Sequence, residues 1–174
     1  NMLNIKNCDC MDLMKEYPDK HFELAIVDPP YGIGFDGEVP SMVLHPNSTK
    51  WKNAKLSGYV RKEWDKNKPN KEYFTELRRV SINQIICGGN HYDLPLSTGW
   101  IFWDKENGNF SLSDGELIWT SFKKGIRKFK FQWHGFIKGE ICKRIHPTQK
   151  PVALYEWLLT KYAKKGDKIL DTHG

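Results

Sequence analysis

Cysteine is scarce in this sequence, and its spacing is uninformative for metals. The four cysteines (Cys8, Cys10, Cys87 and Cys142) form no CxxC pair, and the histidines complete no ligand set. No metal site is therefore predicted, and reduced thiols in a cytoplasmic protein are the expectation. No apolar run is long enough to span a membrane, and no signal-peptide pattern appears. Acidic residues are outnumbered, 21 against 27 lysines and arginines, for a net charge of +6 and a pI near 9.0. That balance suits a polyanionic partner, although a basic charge alone does not identify one. What remains is ordinary for one globular domain over 1–174, with 39% hydrophobic and 28% charged residues. Asn1 before Met2 reads as an added residue, with Met2 as the natural start.

The most informative stretch is 24–32, Leu-Ala-Ile-Val-Asp-Pro-Pro-Tyr-Gly. Leu24 to Val27 are apolar and partly β-branched, as in a strand buried on both faces. Asp28 falls where that strand would end, and Pro29-Pro30 stop further ladder pairing. Neither proline carries an N–H, so the turn offers acceptors only: a carboxylate and backbone carbonyls. Tyr31 adds a flat ring, and Gly32 frees the exit of the chain. Acceptors beside a ring suit the capture of an exocyclic amine on a flat heterocycle. The alternative is a strand end with a Pro-Pro stop and a capping aspartate.

Asp28-Pro29-Pro30-Tyr31 resembles the catalytic motif of DNA amino-methyltransferases, which move a methyl group from S-adenosylmethionine (SAM) to adenine N6 or cytosine N4. Other stretches extend the resemblance. Asn-Cys-Asp-Cys-Met-Asp-Leu at 7–13 is similar to the family's segment before that motif, which implies that Asp9 contacts the cofactor adenine; Asp9 is equally suited to cap a helix over 11–17. His146-Pro147-Thr148-Gln149-Lys150-Pro151 resembles the element bordering the cofactor pocket, and implies that Thr148, Lys150 and Pro151 line it. Pro151 is also well placed to begin a helix to about 164. A helix N-terminus with a nearby lysine is a natural seat for the carboxylate of the cofactor's methionine portion. His146 and Gln149 either join that pocket or orient the loop. Lys-Ile-Leu-Asp-Thr-His-Gly at 168–174 resembles the cofactor strand, which implies cofactor roles for Asp171, Thr172 and Gly174. A glycine-rich loop, a helix and an acidic-ended strand are expected to follow.

Motif order, catalytic first and cofactor strand last, resembles the permuted group of these enzymes. The implied architecture is α/β and Rossmann-like: an open, mostly parallel sheet with helices on both faces and one antiparallel strand near an edge. Further strands are predicted at 3–6, 84–87, 100–103, 116–121 and from 127, with a helix from 71 to 80 capped by Asn70. Gly88-Gly89-Asn90 is either a pocket wall or a tight turn. Residues 33–71 lack periodicity and interleave lysines with Trp51, Tyr59 and Trp64, as a mobile DNA-contacting loop would, or a solvated one. Lys128 and Lys130 face away from Phe129, Phe131 and Trp133, along phosphates or as guards of an edge strand.

The implied reaction needs double-stranded DNA, a flipped adenine stacked on Tyr31, and Asp28 with the Pro29 carbonyl accepting its N–H groups. It needs no metal and no covalent enzyme intermediate, and it places the chain with DNA methylation and restriction-modification. The competing readings are N4-cytosine methylation, where serine is commoner at the position of Asp28, RNA or protein-amide methylation, and an inactive nucleic-acid-binding relic.

Overall fold

The apolar run around Ala25 lies between two parallel neighbours, and the described part of the chain is arranged about it. A computed structural model describes residues 3–34, 65–107, 113–134, 137–138 and 148–173. In order they form α1 (Cys10–Lys15), β1 (Phe22–Val27), α2 (Lys71–Val80), β2 (Ser81–Cys87), a 3-10 turn (Gly89–His91), β3 (Ile101–Asp104), β4 (Gly115–Thr120), β5 (Arg127–Lys130), β6 (Trp133–His134), β7 (Ile137–Lys138), α3 (Val152–Tyr162) and β8 (Ile169–Leu170). Six strands make one sheet in the order β5-β3-β4-β2-β1-β8, and β6-β7 form a separate hairpin.

β1 pairs in parallel with β2, Val27 opposite Ile86, and with β8, Ala25 opposite Leu170. Both faces of β1 are covered, which explains an apolar run without polar alternation. Ala25 and Val27 pack with Met14, Phe74, Leu77 and Val80 from α1 and α2. Leu24 and Ile26 pack with Leu154 and Leu158 from α3. Burying each of these side chains larger than alanine contributes roughly 1.5–3 kcal/mol. The sheet thus carries α1 and α2 on one face and α3 on the other. β4 alone runs antiparallel to its neighbours, and it lies between β2 and β3. The expectation of an antiparallel strand near an edge is corrected, because β5 adds in parallel beyond β3 and takes the edge.

Local signals account for most boundaries. Asn70 caps α2 by accepting from the Tyr73 N–H at 3.0 Å. Arg79, in the last turn of α2, donates to the Met14 and Tyr17 carbonyls at the end of α1, satisfying groups the short helix leaves open. β2 begins at Ser81, three residues before the predicted start, where Ser81 pairs with Phe22 of β1; the buried Gln84 amide donates to the Ser81 carbonyl and hydroxyl, each at 3.0 Å. Pro151 is the N-cap of α3, so the helix starts one residue later than predicted, and it ends at Tyr162.

Two expectations fail outright. Residues 3–6 form no strand: Leu3 and Ile5 are 84% and 82% exposed, and no described strand pairs with them. The alternation from Arg127 does not continue through Trp133 as one strand. β5 ends at Lys130, and Trp133 opens the hairpin. Most of the predicted DNA-contacting loop, 35–64, lies outside the described residues, as do His146, Pro147 and Gly174. At the ends of that stretch, the buried Asp65 carboxylate accepts from the Gly32 N–H at 2.9 Å. No described helix is long and apolar enough to cross a membrane.

Candidate active site

Parallel pairing sets the carboxyl ends of β2, β1 and β8 side by side, so Gly88, Asp28 and Asp171 emerge along one rim. Such a rim is where open α/β sheets place ligands. The antiparallel β4 brings its opposite end to the same place. Cys87 stands opposite Ile118, which puts Glu116 past the end of β2. Lys105 follows β3, whose Trp103 pairs with Glu116. Lys150 arrives from the segment preceding α3.

These side chains converge on the acceptor turn. The Lys150 ammonium lies 2.9 Å from Asp28 Oδ2 and 3.2 Å from Glu116 Oε2, and it donates to the Tyr31 hydroxyl at 2.9 Å. The Tyr31 proton is within reach of Asp28 Oδ1 at 3.0 Å and Glu116 Oε2 at 3.3 Å. Lys105 closes the far side, 2.5 Å from Glu116 Oε1, with its ammonium over the Trp103 ring. Two carboxylates and two ammoniums thus balance in one network. The Lys150 side chain is only 5% exposed, a burial that requires this pairing.

Burial opposes the Lys150 charge, but Glu116 and Asp28 outweigh it and raise its pKa well above the ordinary lysine value. Burial likewise opposes the Glu116 charge, yet Lys150 and Lys105 bring its carboxyl down to about 2. The Tyr31 phenol is pushed far up, chiefly by burial, with Lys150 working against the shift. These shifts favour a charged Lys150, a charged Glu116 and a protonated Tyr31 phenol.

The carbonyls of the turn are engaged as well. Tyr92 Oη reaches the Pro29 oxygen at 2.7 Å and the Pro30 oxygen at 3.0 Å. The Tyr31 ring stacks on His91, centroids 4.8 Å apart and 15° from parallel. It also passes over Gly88, where a Cβ would come within 2.3 Å of the ring. Gly88 has φ +63° and leads into the 3-10 turn, as the tight-turn reading of the Gly-Gly stretch requires. An open cavity of about 470 Å³ lies beside Tyr31, lined by Gly32, Ile33, Lys66, Lys68 and His91. A larger one, about 500 Å³, lies between α1 and α2 and shares no residue with the network.

The remaining predicted residues lie in three other places. Asp9 is exposed and caps α1, accepting from the Met11 N–H at 2.7 Å. Thr148 and Pro151 flank Lys150 at the entry to α3, where the Gln149 carbonyl accepts from the Trp133 indole at 2.7 Å. Asp171 accepts from the His173 N–H at 2.9 Å, while partial burial and the charge of Asp28 push its carboxyl up. Thr172 Oγ1 lies 2.6 Å from Tyr73 Oη and 2.8 Å from His173 Nδ1. Lys150, expected to line the cofactor pocket, contacts Asp28, Glu116 and Tyr31. Sequence reading missed Glu116, Lys105, Tyr92 and His91. Glu116 carried one signal, an acidic side chain opening an otherwise apolar strand. Among the described residues, no three His, Cys, Asp or Glu side chains gather as a metal would need.

A mixed six-stranded sheet with helices of this kind is compatible with an α/β methyltransferase fold. The chain is similar to the Type II methyltransferase M2.MboI of Moraxella bovis, 25% identical over 213 residues that take in 97% of this chain and 74% of that protein. The alignment is longer than the chain, so the relative carries residues inside the aligned span that this chain lacks. No protein-family model matches the chain.

Proposed function

We propose that this chain is a SAM-dependent DNA methyltransferase of the permuted, Rossmann-like group, acting on the exocyclic N6 of a flipped adenine. The observation that carries the reading is the acceptor-only turn Asp28-Pro29-Pro30-Tyr31 at the end of β1, beside Asp171 at the end of β8. The similarity to a Type II methyltransferase supports it, and the basic charge suits DNA.

The residues fit a cationic methyl donor. Asp171 has its carboxyl raised partly by Asp28, and a sulfonium nearby would relieve that repulsion. Asp9, Thr148, Lys150, Pro151, Asp171, Thr172 and Gly174 would hold the cofactor. SAM, when bound, supplies an electrophilic methyl group. The chain's own residues do the rest. In the proposed reaction the base takes the place of His91 on the Tyr31 ring, and Asp28 with the Pro29 carbonyl draws on the two N–H bonds, favouring the pyramidal nitrogen that can attack. Asp28, 2.9 Å from the Lys150 ammonium, acts as an acceptor that orients the amine. The acceleration comes from positioning and preset acceptors.

Incubation of the protein with methyl-labelled SAM and mixed-sequence DNA, followed by nucleoside analysis, tests this. Labelled N6-methyladenine is expected. Label on cytosine N4 would move the reading to the cytosine branch, and absence of label would leave a nucleic-acid-binding relic.

A further inference from the structure

The turn that carries the proposed chemistry has few donors of its own, the Tyr31 hydroxyl reaching Asp28 Oδ1 at 3.0 Å within it. Pro29 and Pro30 have no N–H to donate, so the segment is rich in acceptors and poor in means to close on itself. Donors from other elements close it. Tyr92, next to the 3-10 turn, spans the Pro29 and Pro30 carbonyls with one hydroxyl at 2.7 and 3.0 Å. Lys150 spans the Asp28 carboxylate and the Tyr31 hydroxyl, both at 2.9 Å. Lys150 is itself held by Glu116 Oε2, whose other oxygen is fixed by Lys105. The ends of β2, β3 and β4 are thereby tied to the end of β1.

We propose that Tyr92 and Glu116 are positioning residues for methyl transfer: Tyr92 fixes the Pro29 and Pro30 carbonyls, and Glu116 seats the Lys150 ammonium against Asp28, so the acceptors are set before the target amine arrives. This rests on the methyltransferase reading above. A carbonyl oxygen has two lone pairs, so the bond from Tyr92 leaves the Pro29 oxygen able to accept from the amine. The Asp28 oxygens likewise keep acceptor capacity after Tyr31 and Lys150 are served. A misplacement of about 1 Å in such a constellation costs on the order of 100-fold in rate. A purely architectural role for the same contacts would show in stability and leave turnover per folded molecule unchanged.

The test uses the full chain with Tyr92→Phe and Glu116→Gln, each nearly isosteric. Turnover and KM are measured with methyl-labelled SAM and mixed-sequence DNA, SAM affinity by calorimetry, and folding by thermal unfolding. Each variant is expected to lose roughly 10- to 100-fold in kcat, with KM and SAM affinity within about threefold of wild type. Independently of turnover, acetylation of Lys150, read by mass spectrometry, is expected to rise in Glu116→Gln and stay low in Tyr92→Phe. Wild-type kcat in both variants with a lowered Tm overturns the inference. So does a loss confined to SAM affinity, which would make these residues part of a cofactor pocket. Should one variant fail to fold, the other decides. A wild-type protein that transfers no methyl group overturns the methyltransferase reading and this inference together, a result distinct from failure in the variants alone.

Discussion

The ends of β1 and β8 are neighbours in the same sheet, yet they are built in opposite ways. At the end of β1 each Asp28 oxygen has a donor, Tyr31 on one and Lys150 on the other, and Tyr92 closes the carbonyls behind them. At the end of β8 the Asp171 carboxylate takes a backbone N–H two residues on, in a local turn. The contrast matches two tasks in the proposed reaction. Acceptors that orient a poor nucleophile gain from being fixed in advance, whereas a carboxylate that receives a cationic ligand gains from being left without a protein cation.

The largest difference between the two ends should appear in catalysis. Tyr31→Ala removes the stacking ring and the phenol that links both carboxylates to Lys150. Methyl transfer is expected to fall by roughly 100-fold or more, with DNA affinity in a binding assay nearly unchanged. Asp171→Asn should instead act mainly through SAM affinity, read by calorimetry.

Stability separates the ends next. Lys150→Met leaves Asp28 and Glu116 facing each other without their shared cation. Breaking a buried pair of this kind costs roughly 3–5 kcal/mol, measurable by urea unfolding. Asp171→Asn, in a local turn, should cost less than about 1 kcal/mol in the same assay.

A smaller effect follows from pH. Glu116 lies at about 2 against an ordinary value of 4.5. The depressed value belongs to the folded state, so the unfolded chain takes up this proton first as the pH falls. The stability Glu116 contributes is complete above its ordinary value and is lost between 4.5 and about 2. Urea midpoints measured across that window should fall less steeply in Glu116→Gln.

The smallest effect concerns the basic face around β5. Lys128 is paired with Asp104 at 2.7 Å and Lys130 with Glu106 at 3.4 Å. Neutralising Lys123, Lys124 and Arg127 together should flatten the salt dependence of DNA binding by up to about 0.9 in slope for each phosphate left without its cation. Neutralising Lys128 and Lys130 should change it less, because their charges are already answered within the protein.

Local patterns were legible where one segment decides its own structure. The unbroken apolar run at 24–27 predicts a doubly covered strand, Asn70 predicts the start of α2, and Pro-Pro after Asp28 predicts the end of β1. Of the side chains in the network, the sequence singled out Asp28 and Tyr31 from the β1 turn and Lys150 from the resemblance. Glu116 and Lys105 join it through the register of an antiparallel strand inserted between β2 and β3, a non-local choice that no local spacing encodes. Tyr92 joins through the backbone of Gly88 and Gly89, whose sequence fits a turn or a wall equally well. The strand expected at 3–6 failed for a related reason. Leu3 and Ile5 have the right alternation, but a strand requires a partner, and none of the described strands pairs with them.

The most direct test of the account is Asp28→Ala measured for methyl transfer and for DNA binding on the same preparation, beside wild type. Asp28 is the acceptor around which the donors converge, and it touches no phosphate in the proposed scheme. The account predicts a loss of at least roughly 100-fold in transfer with DNA affinity retained. Near-normal turnover in Asp28→Ala would contradict it.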